Sequence, residues 1–173
     1  MKTLKQIIAG TLVAGLALGA GCETSTSERI PPKSQDPNNV EIYAAWPEDG
    51  SEGHYINRGN TKYGVVWHMN CGQRANYNAT LVPNSTYSVN VRYSNDGGSE
   101  IVSILYNNNS IGRFETQNTR TAGTNPGDGW INFNSSQTFT MNTGSESNNT
   151  IALYVYSGDP YGVDIDKISV VKK

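Results

Sequence analysis

The stretch that decides the fold is Thr86-Tyr87-Ser88-Val89-Asn90-Val91-Arg92-Tyr93. Its apolar residues alternate strictly with polar ones, so one face carries only tyrosine and valine while the other carries threonine, serine, asparagine and arginine. A repeat of two residues is the mark of a β-strand that buries one face. This stretch therefore predicts a half-buried strand.

Similar runs recur along the rest of the chain, separated by glycine, asparagine and aspartate, which favour turns. No segment beyond the N-terminal leader shows a sustained helical repeat. Roughly nine or ten short strands with turns between them predict an all-β sandwich. Besides residues 86–93, the predicted strands are residues 40–45, 63–69, 76–81, 100–106, 111–116, 137–141, 150–156 and 161–171.

The last of these runs contains a change of register. Val163 and Ile165 share one face, but the next apolar pair, Ile168 and Val170, follows at an odd offset. One extra residue near Asp166 would return all four to the same face, which is what a β-bulge does. The alternative is that Ile168 lies on the exposed face.

The charge composition bears on whether the protein binds nucleic acid. The chain has 173 residues, which allows one domain, and 15 acidic against 13 basic residues. The basic residues are scattered, whereas binding to nucleic acid needs clustered lysine and arginine. The sequence therefore predicts that nucleic acid is not a partner.

Residues 1–21 have the pattern of a signal peptide. Lys2 and Lys5 precede an apolar stretch that ends in small residues directly before Cys22. This arrangement resembles a bacterial lipobox, although the usual leucine three residues before the cysteine is replaced by Gly19. The resemblance implies cleavage before Cys22 and attachment of lipid to it. The alternative is an ordinary signal peptide cut nearby, which would leave Cys22 unmodified.

Residues 22–39 are rich in serine, threonine, proline and charged residues, with almost no apolar ones, so they predict a flexible tether. Residues 40–173 then form the predicted β-sandwich domain. If Cys22 carries lipid, Cys71 has no partner for a disulfide. A Cys22–Cys71 disulfide is the competing interpretation.

The sequence contains no clear pattern of catalytic residues. His54 and His68 lack metal-ligand spacing with each other or with Cys71, and there is no Gly-x-Ser-x-Gly nucleophile motif. Asp164 and Asp166 stand two residues apart on one strand, which leaves little room for a sugar between them. The sequence predicts that the protein is not an enzyme.

Four segments carry a family resemblance: residues 87–98 (YSVNVRYSNDGG), 127–133 (GDGWINF), 149–153 (NTIAL) and 159–168 (DPYGVDIDKI). In order and spacing they resemble carbohydrate-binding modules of families 6 and 35. The resemblance implies a galactose-binding-like β-jelly roll with a sugar site in loops at one end. It also implies a structural calcium ion between the first and last strands.

The resemblance assigns the calcium ligands by position to Glu41 and Asp166. Tyr43 stands where the family has a second glutamate, so only two of the side chains that would bind calcium are present. The alternative is that both carboxylates merely form hydrogen bonds at the ends of strands.

A sugar site needs an aromatic ring against the apolar face of a pyranose and polar partners for its hydroxyl groups. Trp130, in a predicted loop, is the expected stacking platform. Tyr55, in a predicted loop of residues 53–59, is the candidate for a second wall, with an ordinary half-buried tyrosine as the alternative. Asp164 matches the position of an asparagine that binds sugar hydroxyl groups in related modules. Weaker candidates for ligand binding are Asn95, Asp96 and Tyr161, of which Asn95 and Asp96 could equally be turn formers.

Two further residues are assigned to structure. Trp67 is expected in the core, and Arg92 is expected in an ion pair or on the solvated face of a sheet.

Taken together, the sequence predicts a glycan-binding lipoprotein of the cell envelope that faces the periplasm or the cell exterior. Its contact with the membrane is expected only through the N-terminal lipid. The alternative is a structural or adhesive envelope lipoprotein that binds protein or polymer without a sugar cleft. A small glycan hydrolase is the least favoured reading, for want of an acid/base pair.

Overall fold

The computed structural model describes residues 36–173. The predicted signal peptide, the lipidation site at Cys22 and nearly all of the predicted tether lie outside these residues. Within them, no helix is long and apolar enough to cross a membrane.

Eleven strands and one short 3₁₀ turn, Asp128–Ile131, make up the domain. The strands are β1 (Asn39–Tyr43), β2 (His54–Asn57), β3 (Val65–Met69), β4 (Arg74–Thr80), β5 (Thr86–Ser94), β6 (Ile101–Tyr106), β7 (Asn109–Glu115), β8 (Asn134–Ser135), β9 (Phe139–Asn142), β10 (Asn148–Ser157) and β11 (Val163–Lys172).

These strands form two antiparallel sheets. The larger has the order β2-β3-β11-β5-β8, with β1 also paired to β11 and β9 also paired to β5. The smaller has the order β4-β10-β6-β7. The predicted all-β sandwich is confirmed.

The deciding stretch is strand β5, which lies inside the larger sheet between β11 and the short strands β8 and β9. Tyr87, Val89, Val91 and Tyr93 are buried, while the residues between them are half-buried. The alternation predicted from the sequence is therefore the alternation between the core and the outer face. Burial of each such side chain stabilises the fold by roughly 1.5–3 kcal/mol.

The predicted β-bulge is confirmed in β11. The pairing of β11 with β5 shifts register between Ile165 and Lys167, which leaves Asp166 as the extra residue. Ile165, Ile168 and Val170 are all fully buried, so the alternative in which Ile168 faces solvent is wrong. The bulge keeps these side chains in the core.

The expectation for Trp67 is confirmed, because this residue is buried in the core and its indole N–H donates to the carbonyl of Glu52 at 2.9 Å. The segment before it differs from expectation. Residues 54–57, which were expected in a loop, form β2 at the edge of the larger sheet and pair residue by residue with β3. Tyr55 therefore belongs to a strand.

Candidate functional site

The turn that carries Trp130 is held against the end of β5. Ser94 donates from its hydroxyl to the Trp130 carbonyl at 3.2 Å, and Thr119 donates to the Gly129 carbonyl at 2.7 Å. A Cβ atom on Gly129 would lie 2.6 Å from Oδ1 of Asp96, so only glycine allows this close approach. These contacts fix the position of Trp130.

Trp130 and Tyr161 line one surface cavity of about 290 Å³, together with Asp96, Pro126 and Gly127. The Trp130 side chain is half-buried, and Tyr161 is 65% exposed. The structure thus brings together three of the predicted candidates, Trp130, Tyr161 and Asp96, at the ends of strands in the larger sheet. The Asp96 side chain is 1% exposed, and its Oδ1 lies 3.7 Å from the guanidinium of Arg120.

A layer of charged and aromatic side chains supports Trp130 from within the protein. The guanidinium carbon of Arg58 lies 5.4 Å from the Trp130 ring centroid, and the His68 ring approaches at 5.8 Å, edge to face. The Nε of Arg58 donates to Oδ2 of Asp164 at 2.6 Å, and Nδ1 of His68 lies 2.7 Å from Oδ1 of the same carboxylate. Asp164 thereby anchors both groups that contact the indole ring.

This position of Asp164 differs from the prediction. Asp164 is 0% exposed, and Arg58 and His68 occupy both of its oxygens. A carboxylate in that environment is not available to sugar hydroxyl groups, so the expected direct contact with ligand is wrong. Its contribution to the cavity is indirect, through the side chains that contact Trp130.

Asn95 is also unavailable to a ligand. It is 0% exposed, its amide nitrogen donates to Glu100 at 2.7 Å and to Thr116 at 3.0 Å, and its Oδ1 accepts from the backbone N–H of Gly97 at 2.8 Å. The prediction of Asn95 as a ligand-binding residue is corrected here. The alternative, a residue that forms the turn, describes its contacts.

Tyr55 lies away from the cavity. Although 59% exposed, it pairs across the strands with Trp67, with ring centroids 4.9 Å apart. Trp130 instead contacts His68, the next residue of β3, and successive residues of a strand point to opposite faces. Tyr55 and Trp130 therefore lie on opposite sides of the larger sheet and do not form two walls of one site.

The predicted calcium ligands are each paired with a cation of the chain itself. Lys167 and the Tyr43 hydroxyl donate to Glu41, and these hydrogen bonds lower the pKa of the Glu41 carboxyl. Asp166 accepts from the guanidinium of Arg92, which confirms the ion pair expected for Arg92. No group of three or more His, Cys, Asp or Glu side chains within residues 36–173 could hold a metal ion. In this structure Glu41 and Asp166 therefore serve as partners of Lys167 and Arg92.

Two structural features near the cavity could not be predicted from the sequence. Arg58 reaches Trp130 and Asp164 from a segment with no distinguishing pattern. Glu100 is 0% exposed, and its burial together with the nearby Asp159 charge raises its pKa to about 7. In the sequence, Glu100 looks like any acid before a strand.

A second groove, of about 460 Å³, lies on the smaller sheet. It is lined by Asn78, Ala79, Thr80, Asn148, Asn149 and Thr150. Because this lining contains no aromatic ring, it lacks the stacking surface that the first cavity provides.

Solved structures with the same fold include sugar-binding modules and a toxin. The C-terminal family 6 carbohydrate-binding module of the laminarinase LamC from Zobellia galactanivorans matches at 20% identity with a TM-score of 0.59, over 78% of this chain and 100% of that one. A family 35 carbohydrate-binding module from an environmental isolate matches at 14% identity and a TM-score of 0.59, over 76% of this chain and 92% of that one. At these identities the likeness concerns the fold.

Larger proteins contain the same fold as one part. The insecticidal delta-endotoxin Cry8Ea1 from Bacillus thuringiensis matches at 14% identity with a TM-score of 0.64, over 78% of this chain and 24% of that one. This chain likewise spans only 29% of an exo-beta-1,3-galactanase from Phanerochaete chrysosporium. Comparison with curated proteins found no match.

Sequence comparison with family models matches this chain to the toxins. The model named Endotoxin_C, described as delta endotoxin, matches residues 51–171, from just before β2 almost to the end of β11. The sequence resemblance to carbohydrate-binding modules of families 6 and 35 agrees with this match in fold but names a different family. Since the match covers more than half of the chain, the protein belongs to the delta endotoxin family defined by that model.

Proposed function

We propose that this domain binds glycans without modifying them, at the cavity between Trp130 and Tyr161. The observation that carries the proposal is that one cavity of about 290 Å³ is lined by two aromatic side chains and a carboxylate. A pyranose ring has an apolar face that packs on an aromatic ring and a rim of hydroxyl groups that needs polar partners. Trp130 and Tyr161 supply the aromatic contact, whereas the Asp96 carboxylate is 1% exposed, accepts from the backbone N–H of Gly127 and forms part of the cavity wall.

The side chains that hold Trp130 in place favour ligand binding at its ring. Arg58 and His68 contact the indole ring, and buried Asp164 holds both of them. A platform that is already fixed before the ligand arrives loses little conformational entropy on binding. The exposed Tyr161 is then the more adjustable of the two aromatic walls.

The similarity to two sugar-binding modules supports the same proposal. The domain covers nearly the full length of the family 6 and family 35 modules, which are binding modules by name. Laminarin and β-1,3-galactan, the polymers that the names of the neighbouring enzymes refer to, are therefore reasonable first ligands to test.

A binding role without catalysis agrees with the carboxylates at the cavity. Glycosidases place two carboxyl groups on either side of the scissile bond. Among the described residues that line this cavity, Asp96 is the only carboxylate. We propose on this ground that the protein is not an enzyme.

We further propose that the domain is presented on the cell envelope by a lipid on Cys22. The support is the signal-like segment of residues 1–21, which ends in small residues directly before that cysteine. Glycan on the envelope or outside the cell would then be within reach of the cavity.

The second candidate function is a structural or adhesive role in which the domain contacts protein or polymer without a sugar cleft. It is favoured by the positions of Asp164 and Tyr55, neither of which lines the cavity, so the polar and aromatic contacts to a sugar are fewer than predicted.

Binding to laminarin and β-1,3-galactan by affinity electrophoresis tests the proposal. The wild-type chain should be retarded by at least one polymer, and Trp130→Ala and Tyr161→Ala should migrate freely. Tyr55→Ala is the matched control, because it removes an equally exposed tyrosine away from the cavity. Retardation lost equally in all three variants, or absent from the wild type, would favour the structural role.

A further inference from the structure

Glu100 and Asp159 join two turns beside the cavity. Glu100 ends the turn after β5, and Asp159 lies between β10 and β11. Oε2 of Glu100 accepts from the Asn95 amide and the Thr116 hydroxyl, both at 2.7 Å. Its Oε1 is closed to solvent and has no hydrogen-bond donor among residues 36–173. The Glu100 side chain also packs against Gly158, the residue directly before Asp159.

The two turns are pressed together at glycines. A Cβ atom on Gly97 would lie 2.3 Å from Oδ2 of Asp159, and one on Gly158 would lie 2.5 Å from Cγ of Glu100. The Asp159 carboxylate accepts from the backbone N–H of Gly98 and, at 2.8 Å, from that of Tyr161. Asp159 thus ties the turn after β5 to the residue that forms one wall of the cavity.

One proton between the two carboxyl groups explains this arrangement. Two neighbouring carboxylates repel each other, and the buried Oε1 of Glu100 would lack a donor, whereas a protonated Glu100 can donate to Asp159. Burial raises the pKa of Glu100 to about 7, and the Asp159 charge adds to that effect. Burial also opposes ionisation of Asp159, but the N–H groups of Gly98 and Tyr161 outweigh it and lower the pKa of Asp159. The proton therefore resides on Glu100.

Three other titratable groups face this region, and His68, which packs against Gly162, is paired with Asp164 and not with Glu100 or Asp159. Tyr93 on β5 interacts with Glu100, but burial raises the pKa of its phenol, so it is neutral around pH 7. Glu115 at the end of β7 hydrogen-bonds to Ser99 at 2.5 Å on the exposed side of the turn. Thr116, the remaining neighbour from that side, does not titrate.

We propose that Glu100 and Asp159 share one proton that closes residues 158–162 onto the turn after β5, so that losing it weakens glycan binding at the cavity. This inference rests on the proposed function and adds a pH dependence to the same site. When both groups are charged, their repulsion acts on the loop that carries Tyr161. Binding should therefore weaken as the pH rises through neutrality.

The proton itself can be tested on the full chain without any ligand. Carboxyl ¹³C shifts of Glu100, followed together with the amide ¹⁵N shifts of Gly98 and Tyr161, should titrate together between about pH 6 and 8. In Glu100→Gln, whose amide group can donate to Asp159 at every pH, the two amide shifts should stay constant over this range. A Glu100 carboxyl that titrates below pH 5, or amide shifts that move equally in Glu100→Gln, would overturn the proposal.

The coupling to binding is tested with laminarin and β-1,3-galactan oligosaccharides by calorimetry at pH 6 and pH 8. Wild-type affinity should fall by about fivefold, a typical size for coupling between sites. Glu100→Gln should bind equally at both pH values, and Glu115→Gln, which removes a nearby exposed carboxylate, should behave like the wild type. Equal binding by the wild type at both pH values would overturn the proposal. Absence of binding at either pH would overturn the proposed function as well, while the titration would still report whether the proton is shared.

Discussion

Replacement of Trp130 by alanine tests whether this residue binds the ligand or supports the core. Trp130 lines the cavity on one side and contacts Arg58 and His68 on the other. Removing a stacking platform should cost roughly 1–3 kcal/mol of sugar affinity, the value of one buried aromatic face. That is about a five- to 150-fold rise in the dissociation constant.

Trp130→Ala should also lower the stability of the folded domain, because two contacts of the indole ring are lost. The lost cation–π contact with Arg58 contributes about 0.5–1 kcal/mol, and the lost aromatic contact with His68 about 0.5–1.5 kcal/mol. The ion pair between Arg58 and Asp164 remains in the variant. Trp130→Ala should therefore lower the free energy of unfolding by about 1–2.5 kcal/mol, or several degrees in Tm.

Trp67→Ala is the matched comparison, because Trp67 is buried in the core. It should lower the free energy of unfolding by about 3–5 kcal/mol, as large-to-small core substitutions do. Calorimetry with laminarin and β-1,3-galactan oligosaccharides, together with thermal melting, measures both quantities. If Trp130→Ala unfolds the domain while the folded fraction keeps its affinity, Trp130 supports the core and the site assignment is wrong.

Three further predictions concern the charges and the N-terminus. Asp164→Ala should destabilise the domain by up to about 3 kcal/mol in chemical denaturation, because it leaves the half-buried Arg58 without its partner; a loss of affinity at unchanged stability would contradict this. Because the folded state raises the pKa of Glu100 from 4.5 to about 7, its contribution to stability is greatest below pH 4.5 and falls as the pH rises to about 7, by about 3 kcal/mol at most. Denaturation curves from pH 4 to 8 should show this fall in the wild type and not in Glu100→Gln; identical curves would refute the assignment. Expression in a bacterium should yield a chain that begins with a lipid-modified Cys22, and mass spectrometry showing an unmodified terminus would contradict it.

The strands with the strongest alternation could be predicted from the sequence because alternation records which face is buried. Strand β5 and the bulge in β11 follow directly from the positions of valine and isoleucine. Strand β2 could not be predicted in this way. Its residues are mostly exposed, so no apolar repeat marks it, and it is held by backbone pairing with β3.

The site was predictable only in part, for a related reason. Trp130 stands out because a large aromatic residue in a loop seldom belongs to the core, whereas the sequence places Tyr161 at the start of a strand and gives it only as a weaker candidate. The role of Asp164 depends on partners 106 and 96 residues away in the sequence, Arg58 and His68. Glu100 and Asp159 likewise meet only because two distant turns pack together. Such pairings depend on the tertiary fold and leave no local pattern.

The most direct test of the central claim, glycan binding at the cavity, is an NMR titration of the ¹⁵N-labelled chain with laminarin and β-1,3-galactan oligosaccharides. The chain has three tryptophans, and each gives a separate indole N–H signal. We expect the Trp130 signal and the Tyr161 amide signal to shift with ligand concentration, while the Trp67 signal stays in place. Shifts confined to residues of the groove on the smaller sheet, or the absence of any shift, would contradict the claim.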